Sequence, residues 1–551
     1  MPYDMPLFDF NEETDIKNYE CWVLGTKWYP PPWVPLFVDI HATYGIYGLQ
    51  YGPGMMSDPN TKGWDIRFYK GGVYITAVLT NEEEKKQREP IWRERMRPVL
   101  EDPFGFWAKF KDEVRGPLKK SLAVDLKGLT DVELVEHWLS LLGFNKRLQE
   151  VHFHPMYGLG QGQILLLRVL KELFNIAPSD VEYSVLHSGF DNELTAVTEG
   201  VAKVAVLAKE LGLEEMFRNL PPDELLAQLK TTDKGRQFME KFDQMVKEYG
   251  WVRTRGLEIA TPTWWEDNTL PIKEIQRYLK ADRIAFIGDK KPELERKRKD
   301  LEQELLQKVP KEQRDWFQKL LACSQASHIY MEEHTMYVEM LGFSAIRLAA
   351  MEFGRRFANK GMIDHPEDVL FLRHEELVHA GVIQERCEIR PLVNRRKEEY
   401  EGYRKLEGTL PMFLGDPSRL PELIVDVVLT TSTAPPIAKP EEVGASLVGC
   451  AGAPGVIEGI ACVVGGEEEI DRIRPGTILV APATVASWTP AFGVIKGVVT
   501  DGGGYLAHAL IVARDFGIPA VIGTQEATRK IRDGQRIKVD GNLLRVYIME
   551  D

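Results

Sequence analysis

The sequence predicts a multidomain α+β protein: a mixed, aromatic-rich N-terminal region over 1–130, a helical domain over 131–430, a linker over 431–444 and a C-terminal β/α domain over 445–551. Three observations carry this. A chain of 551 residues exceeds one core and accommodates about three or four domains. After Asp131 the apolar residues recur at helical spacing. Beyond a proline-bearing stretch, short β-branched runs alternate with glycines.

From Trp22 to Trp107 the chain is rich in Trp, Tyr and Pro, and Asp65 to Val78 (DIRFY-KGG-VYITAV) alternates around a glycine turn as a hairpin does. The segments VELVEHWLSLLGFNKRLQEV, ILLLRVLKELF and LTAVTEGVAKVAVLAKEL, with the stretch from Pro292 to Lys360, predict helices. Between Lys290 and Asp315 both charge signs repeat at i,i+4 spacing, which reads as a solvated helix face. The segment TTSTAPPIAKPEEVG, from Thr430 to Gly444, has the composition of a stiff linker. After it come the strand candidates GIACVVG, GTILVAP, GVIKGVVT, PAVIG, RIKVD and LLRVYI. HALIVARDFG is the clear helix among them, with QEATRKI a short second.

The 83 acidic and 69 basic residues give a net charge of −14, which excludes a generally basic nucleic-acid binder. The start, MPYDMPLFDF, lacks the basic flank and apolar core of a signal peptide, and no run approaches the roughly 20 apolar residues of a membrane span. A cytoplasmic protein with no membrane association is expected. The five scattered cysteines, Cys21, Cys323, Cys387, Cys450 and Cys462, form no CxxC pair and suggest neither a disulfide framework nor a zinc site.

In VVTDGGGYLAHALIVARDFGIPAVIGT (Val498 to Thr524), Gly503 and Gly504 allow a tight turn after a strand, and His508 falls in the first turn of the following helix. Free backbone N–H groups and the helix dipole there would stabilise an anion on the imidazole. A neutral imidazole is a good nucleophile near pH 7, so such a histidine can accept and then donate phosphate. Candidates for an acceptor site lie in two further segments. VHFHPMYGLG places His152, His154 and Tyr157 before a break, and YMEEHTMYVEM places Glu333, His334 and Tyr337 on a helix. Arg253 and Arg255 in WVRTRG, and Arg347, could supply positive charge. His187, His328, His374 and His379 are weaker candidates, and the His152/His154 pair has no third ligand at a telling spacing, so no metal is expected. GLGQGQ, from Gly158 to Gln163, follows no strand and is a weak nucleotide signal.

The stretch ILVAPATVASWTPAFGVIKGVVTDGGGYLAHALIVARDFGIPAVIG closely resembles the mobile phosphohistidine domain of phosphoenolpyruvate-utilising enzymes, over about Gly449 to Ile548. The resemblance implies a swivelling domain in which His508 is phosphorylated and carried between two active sites, with Gly503, Gly504 and Arg514 in the family's motif. The rifampin-type branch has Ser just before the histidine; this chain has Ala507. The segments YGWVRTRGLEIATPTWWED, IRLAAMEFGRRFANKGMIDHPEDVLFLRHEEL and PLVNRRKEEY resemble the helical substrate domain of rifampin phosphotransferase more weakly. Nothing in the first 130 residues reads as an ATP-grasp domain. A carrier histidine without its kinase resembles the larger subunit of phenylphosphate synthase, which implies phosphate from MgATP on a separate ATP-grasp subunit, no cofactor on this chain itself, and a small aromatic acceptor such as phenol. An antibiotic phosphotransferase and a non-catalytic regulatory subunit stay open as alternatives.

Overall fold

The structure is a computed structural model that describes residues 9–25, 32–177, 180–253, 259–280, 286–383, 389–406, 409–419, 436–504 and 507–549. It divides into two compact units. The first comprises Met1–Gln161, Leu257–Thr261 and Tyr337–Val425; the second comprises Gly162–Gly256, Pro262–Met336 and Asp426–Asp551. This division cuts across the boundaries expected after residues 130 and 430. The helix Asp131–Phe174 and the continuous helical run from Arg314 to Asn359 each contribute residues to both units.

In the first unit, strands β1 (Cys21–Leu24), β2 (Thr61–Tyr69), β3 (Gly72–Leu79) and β4 (Phe413–Gly415) form an antiparallel sheet in the order β2-β3-β1-β4. The expected hairpin is β2-β3, and its two turn residues, Lys70 and Gly71, both have positive φ (49° and 79°), the geometry of tight hairpin turns. Sequence reading missed β4, which is three residues long and more than 300 residues from its partner. Trp22, Leu24 and Tyr74 form a buried cluster to which Phe10, Tyr19 and Tyr69 add partly buried rings. The helix Pro35–Met56 lies very close to the helix Asp131–Phe174, because a Cβ at Gly52 would come within 2.4 Å of the Phe153 carbonyl oxygen. That long helix runs through Pro155 and GLGQGQ without interruption, so the break expected after Tyr157 is absent and the glycines are helical.

The second unit contains the helices Val181–Leu186, Thr195–Glu210, Thr269–Leu279, Ile287–Lys308 and Arg314–His334, together with the C-terminal β/α domain. The helix Ile287–Lys308 carries the anticipated ion pairs, Glu293–Lys297 and Glu295–Lys299 at 2.6 Å and Glu304–Lys308 at 2.7 Å, on an exposed face. The C-terminal strands are β5 (Leu447–Val448), β6 (Ala451–Ala453), β7 (Val456–Val463), β8 (Ile478–Ala481), β9 (Gly497–Thr500), β10 (Ala520–Ile522), β11 (Arg536–Asp540) and β12 (Arg545–Ile548). They form one sheet in the order β5-β12-β11-β7-β8-β9-β10-β6, with β7, β8, β9 and β10 parallel. Ile478, Val480, Val499, Val521 and Val539 are fully buried, consistent with strands covered on both faces. All six expected strands are present, QEATRKI shrinks to the turn Ala527–Lys530, and the clear helix is His508–Phe516. Residues 430–435 of the linker lie outside the described residues; its end, Pro440–Val443, is a helical turn capped by Gly444 at positive φ. Among the described residues no helix is long and apolar enough to cross a membrane.

Candidate functional site

His508 is the first residue of its helix, preceded by Ala507 in extended conformation. The chain reaches it from β9 through a turn that demands glycine at one position. Gly503 has φ +111°, and a Cβ there would lie 2.6 Å from Ile522 Cγ2. The Gly504 carbonyl accepts the Ala507 N–H at 2.9 Å and closes the turn onto the helix. Tyr505 and Leu506 lie outside the described residues.

The ring of His508 is held at both nitrogens. Thr484 Oγ1 lies 2.8 Å from Nδ1, and Thr489 Oγ1 lies 3.1 Å from Nε2. The hydroxyl of Thr489 donates to the Ala486 carbonyl at 2.7 Å, so its single hydrogen is committed. Thr489 therefore accepts from Nε2–H, and Thr484 donates to the lone pair of Nδ1. These two threonines supply a hydroxyl to each ring nitrogen. The signal was present in ATVASWTP but not the reason to choose it, since they lie 24 and 19 residues away on another loop.

His508 is largely buried, at 9% exposure. The covering comes from within its own unit. Phe492 meets the imidazole edge-on at 5.9 Å, and Glu332 Oε2 lies 3.9 Å from Nε2. Glu332 stands on the helix Arg314–His334, whose face at i,i+4 spacing is Ser324, His328 and Glu332. Ser324 Oγ bonds His187 Nε2 at 2.8 Å, His328 Nε2 lies 3.9 Å from Asp515 Oδ1, and Glu332 faces His508. Sequence reading named the neighbours of this residue, not the residue itself.

The far end of the His508 helix is anchored by Arg514 and Asp515. Arg514 Nε donates to Ser184 Oγ at 2.8 Å, and its guanidinium lies 5.6 Å from the centre of the Tyr183 ring. Ser184 in turn donates to the Gly452 carbonyl at 2.7 Å. Arg514 thus joins the helix to the Val181–Leu186 segment. Burial draws its pKa down to about 10, which leaves it charged at neutral pH. Asp515 accepts from Asn192 Nδ2 at 3.0 Å, and burial pushes its carboxyl up to about 8. Burial draws His328 down to about 3 and His187 well below the ordinary imidazole value, so both rings are neutral.

The other candidates are distributed over the two units. Tyr157 accepts from Trp64 Nε1 at 2.7 Å inside the first unit, and burial raises its hydroxyl far above the usual range. His154, in the same unit, sits among Tyr51, Phe106 and Phe110, and burial draws it down to about 4. His152 stacks on Phe153 at 4.0 Å, and Arg347 donates to the Ile259 carbonyl at 2.6 Å. In the second unit, Glu333 Oε1 accepts the Glu193 N–H at 3.3 Å, and His334 bonds the Tyr330 carbonyl through Nδ1 at 2.8 Å, its ring stacked on Tyr330. Burial draws His334 down to about 4. Arg253 is fully buried and lines a small cleft of about 100 Å³ with Trp264, Lys273, Glu274, Ser487 and Pro490. Arg255 lies outside the described residues.

Residues 473–543 match the PEP-utilising enzyme mobile domain, and residues 152–332 match the rifampicin phosphotransferase fourth domain. The chain therefore carries a PEP-utilising mobile domain together with a rifampicin phosphotransferase domain. Among its relatives, the uncharacterised phosphotransferase YvkC of Bacillus subtilis (strain 168) is 26% identical over 558 residues, covering 97% of this chain and 63% of that protein. The rifampicin phosphotransferase of the same strain is 30% identical over 334 residues, 59% of this chain and 36% of that protein. Chondramide synthase cmdD of Chondromyces crocatus is 28% identical over 406 residues, 72% of this chain and 10% of that protein. The chain thus spans less than two thirds of the length of each of these relatives.

Proposed function

We propose that the chain is the phosphohistidine-carrying component of an ATP-dependent phosphotransferase that phosphorylates a small aromatic hydroxyl compound, phenol to phenylphosphate, through His508. The observation that carries this reading is the imidazole of His508, at the first position of a helix, with a hydroxyl on each ring nitrogen and a buried carboxylate facing Nε2. The cycle has two halves. A partner ATP-grasp subunit uses MgATP and water to place a phosphoryl group on Nε2, which gives up its proton as it attacks, with AMP and inorganic phosphate released, and the phosphoryl group then passes to the acceptor oxygen. An aryl hydroxyl has a pKa of about 10, so at neutral pH it needs a base or positive charge to become a nucleophile. Each half-reaction uses the same nitrogen, and the Nδ1 to Thr484 bond keeps the ring oriented in both.

A second reading, a phosphotransferase for an antibiotic or other secondary metabolite, is favoured by the match of residues 152–332 and by the relatives that act on rifampicin. Incubating the chain with an ATP-grasp partner and ATP labelled at the β-phosphate should leave acid-labile label on the protein, and none on His508→Ala. Label surviving that substitution removes His508 from the mechanism. Transfer of the label to a rifamycin in preference to phenol selects the second reading.

A further inference from the structure

We propose that Glu332 is the base of the transfer half-reaction, taking the proton from the acceptor hydroxyl and delivering it to Nε2 of His508. This inference rests on the reading of His508 as phosphoryl carrier and adds the group that completes its proton balance. Glu332 is 4% exposed, and its Oε2 lies 3.9 Å from Nε2, the nitrogen from which the phosphoryl group departs. That gap is too long for a direct hydrogen bond and leaves room for a phosphoryl group on Nε2, so the carboxylate stands beside the path of an acceptor oxygen that attacks phosphorus from the side opposite the nitrogen.

The proton count closes on the observed resting state. As the acceptor oxygen bonds phosphorus, the N–P bond breaks and its electron pair returns to Nε2. The hydroxyl proton moves to the Glu332 carboxylate and from there to Nε2, so the products are the phosphate ester and a neutral histidine protonated at Nε2. This is the tautomer that the committed hydroxyl of Thr489 requires. Neighbouring groups are worse placed. The Glu333 carboxylate is turned to the Glu193 N–H, and His334 is tied through Nδ1 to its own helix. A carboxylate beside a dianionic phosphoryl group also holds a proton more tightly than one alone, which suits a base for a weakly acidic hydroxyl.

The test uses the full chain, phosphorylated on His508, with two acceptors: phenol, and 4-nitrophenol under conditions where it is already ionised. Glu332→Gln should take up label to the wild-type extent and pass it to phenol about 10²- to 10³-fold more slowly. Its transfer to ionised nitrophenol should fall less than about tenfold, and Glu332→Asp should recover part of the phenol rate. A Gln variant as fast as wild type with phenol, or slowed equally with both acceptors, overturns the role of Glu332 alone. A wild-type chain that takes up label but passes it to neither compound overturns the aromatic-hydroxyl reading, and this role with it.

Discussion

At the scale of single residues, the state of one imidazole decides what the site can do. Thr489 gives its hydrogen to Ala486, so the proton of His508 resides on Nε2 and Nδ1 accepts from Thr484. The ¹⁵N spectrum of ring-labelled protein should therefore show Nε2–H in the unphosphorylated chain, and Thr484→Val should shift the ring toward a mixture of tautomers. A proton found on Nδ1 in the wild type contradicts the assignment. His508 was singled out in the sequence because it follows a glycine turn after a strand and opens a helix, and because the whole stretch resembles the mobile phosphohistidine domain. Thr484, Thr489 and Glu332 were not. Their roles come from loops and a helix that meet His508 only in the folded chain, and no local pattern distinguishes Glu332 from Glu333 next to it.

At the scale of elements, the contact between the His508–Phe516 helix and the Arg314–His334 helix carries a titrating group. Asp515 is buried with Asn192 on Oδ2 and His328 Nε2 3.9 Å from Oδ1, while Arg514 and Asp191 are the nearby charges that act on it. Its pKa in this contact, pushed up to about 8 by burial, exceeds the ordinary 3.8, so the contact favours the neutral carboxyl. The stabilisation it contributes is complete below about pH 4 and is lost as pH rises through about 8. Hydrogen exchange in residues 508–516 should accordingly quicken as pH rises from 6 to 9 beyond the intrinsic base catalysis, and Asp515→Asn should remove that excess. An Asn variant with the wild-type pH profile would show that another group titrates. Six of this domain's eight strands and its main helix were legible as β-branched runs or a helical period near glycines and prolines, whereas β5 and β6, two and three residues long, were not. The docking face was not, since Arg514 read in sequence only as part of the family's motif, His328 was a weaker candidate and Asp515 was not singled out. The expected break at Tyr157 failed for a related reason. Gly158 and Gly162 allow close packing, with a Cβ at Gly162 falling 2.2 Å from Cys323 Sγ, so glycines that look like punctuation are contact positions within a continuous helix.

At the scale of the whole molecule, the account requires a carrier domain that leaves one site for another. In the proposed cycle the lever is the segment TTSTAPPIAKP, from Thr430 to Pro440, whose proline-bearing composition is that of a semi-rigid linker. Deleting four residues from it should suppress one half-reaction by at least about tenfold while both halves remain folded by circular dichroism, because effective concentration collapses when a tether cannot span its sites. Undiminished turnover in that deletion would mean that the domain does not travel. The central claim is that phosphate passes through His508 to an aromatic hydroxyl, and a single-turnover chase tests it most directly. The chain is labelled with partner and ATP, freed of both, and then given phenol. The account predicts that acid-labile label leaves His508 and appears one for one in phenylphosphate. Label that stays on the protein, or phenylphosphate that forms only while ATP and the partner are present, would contradict it.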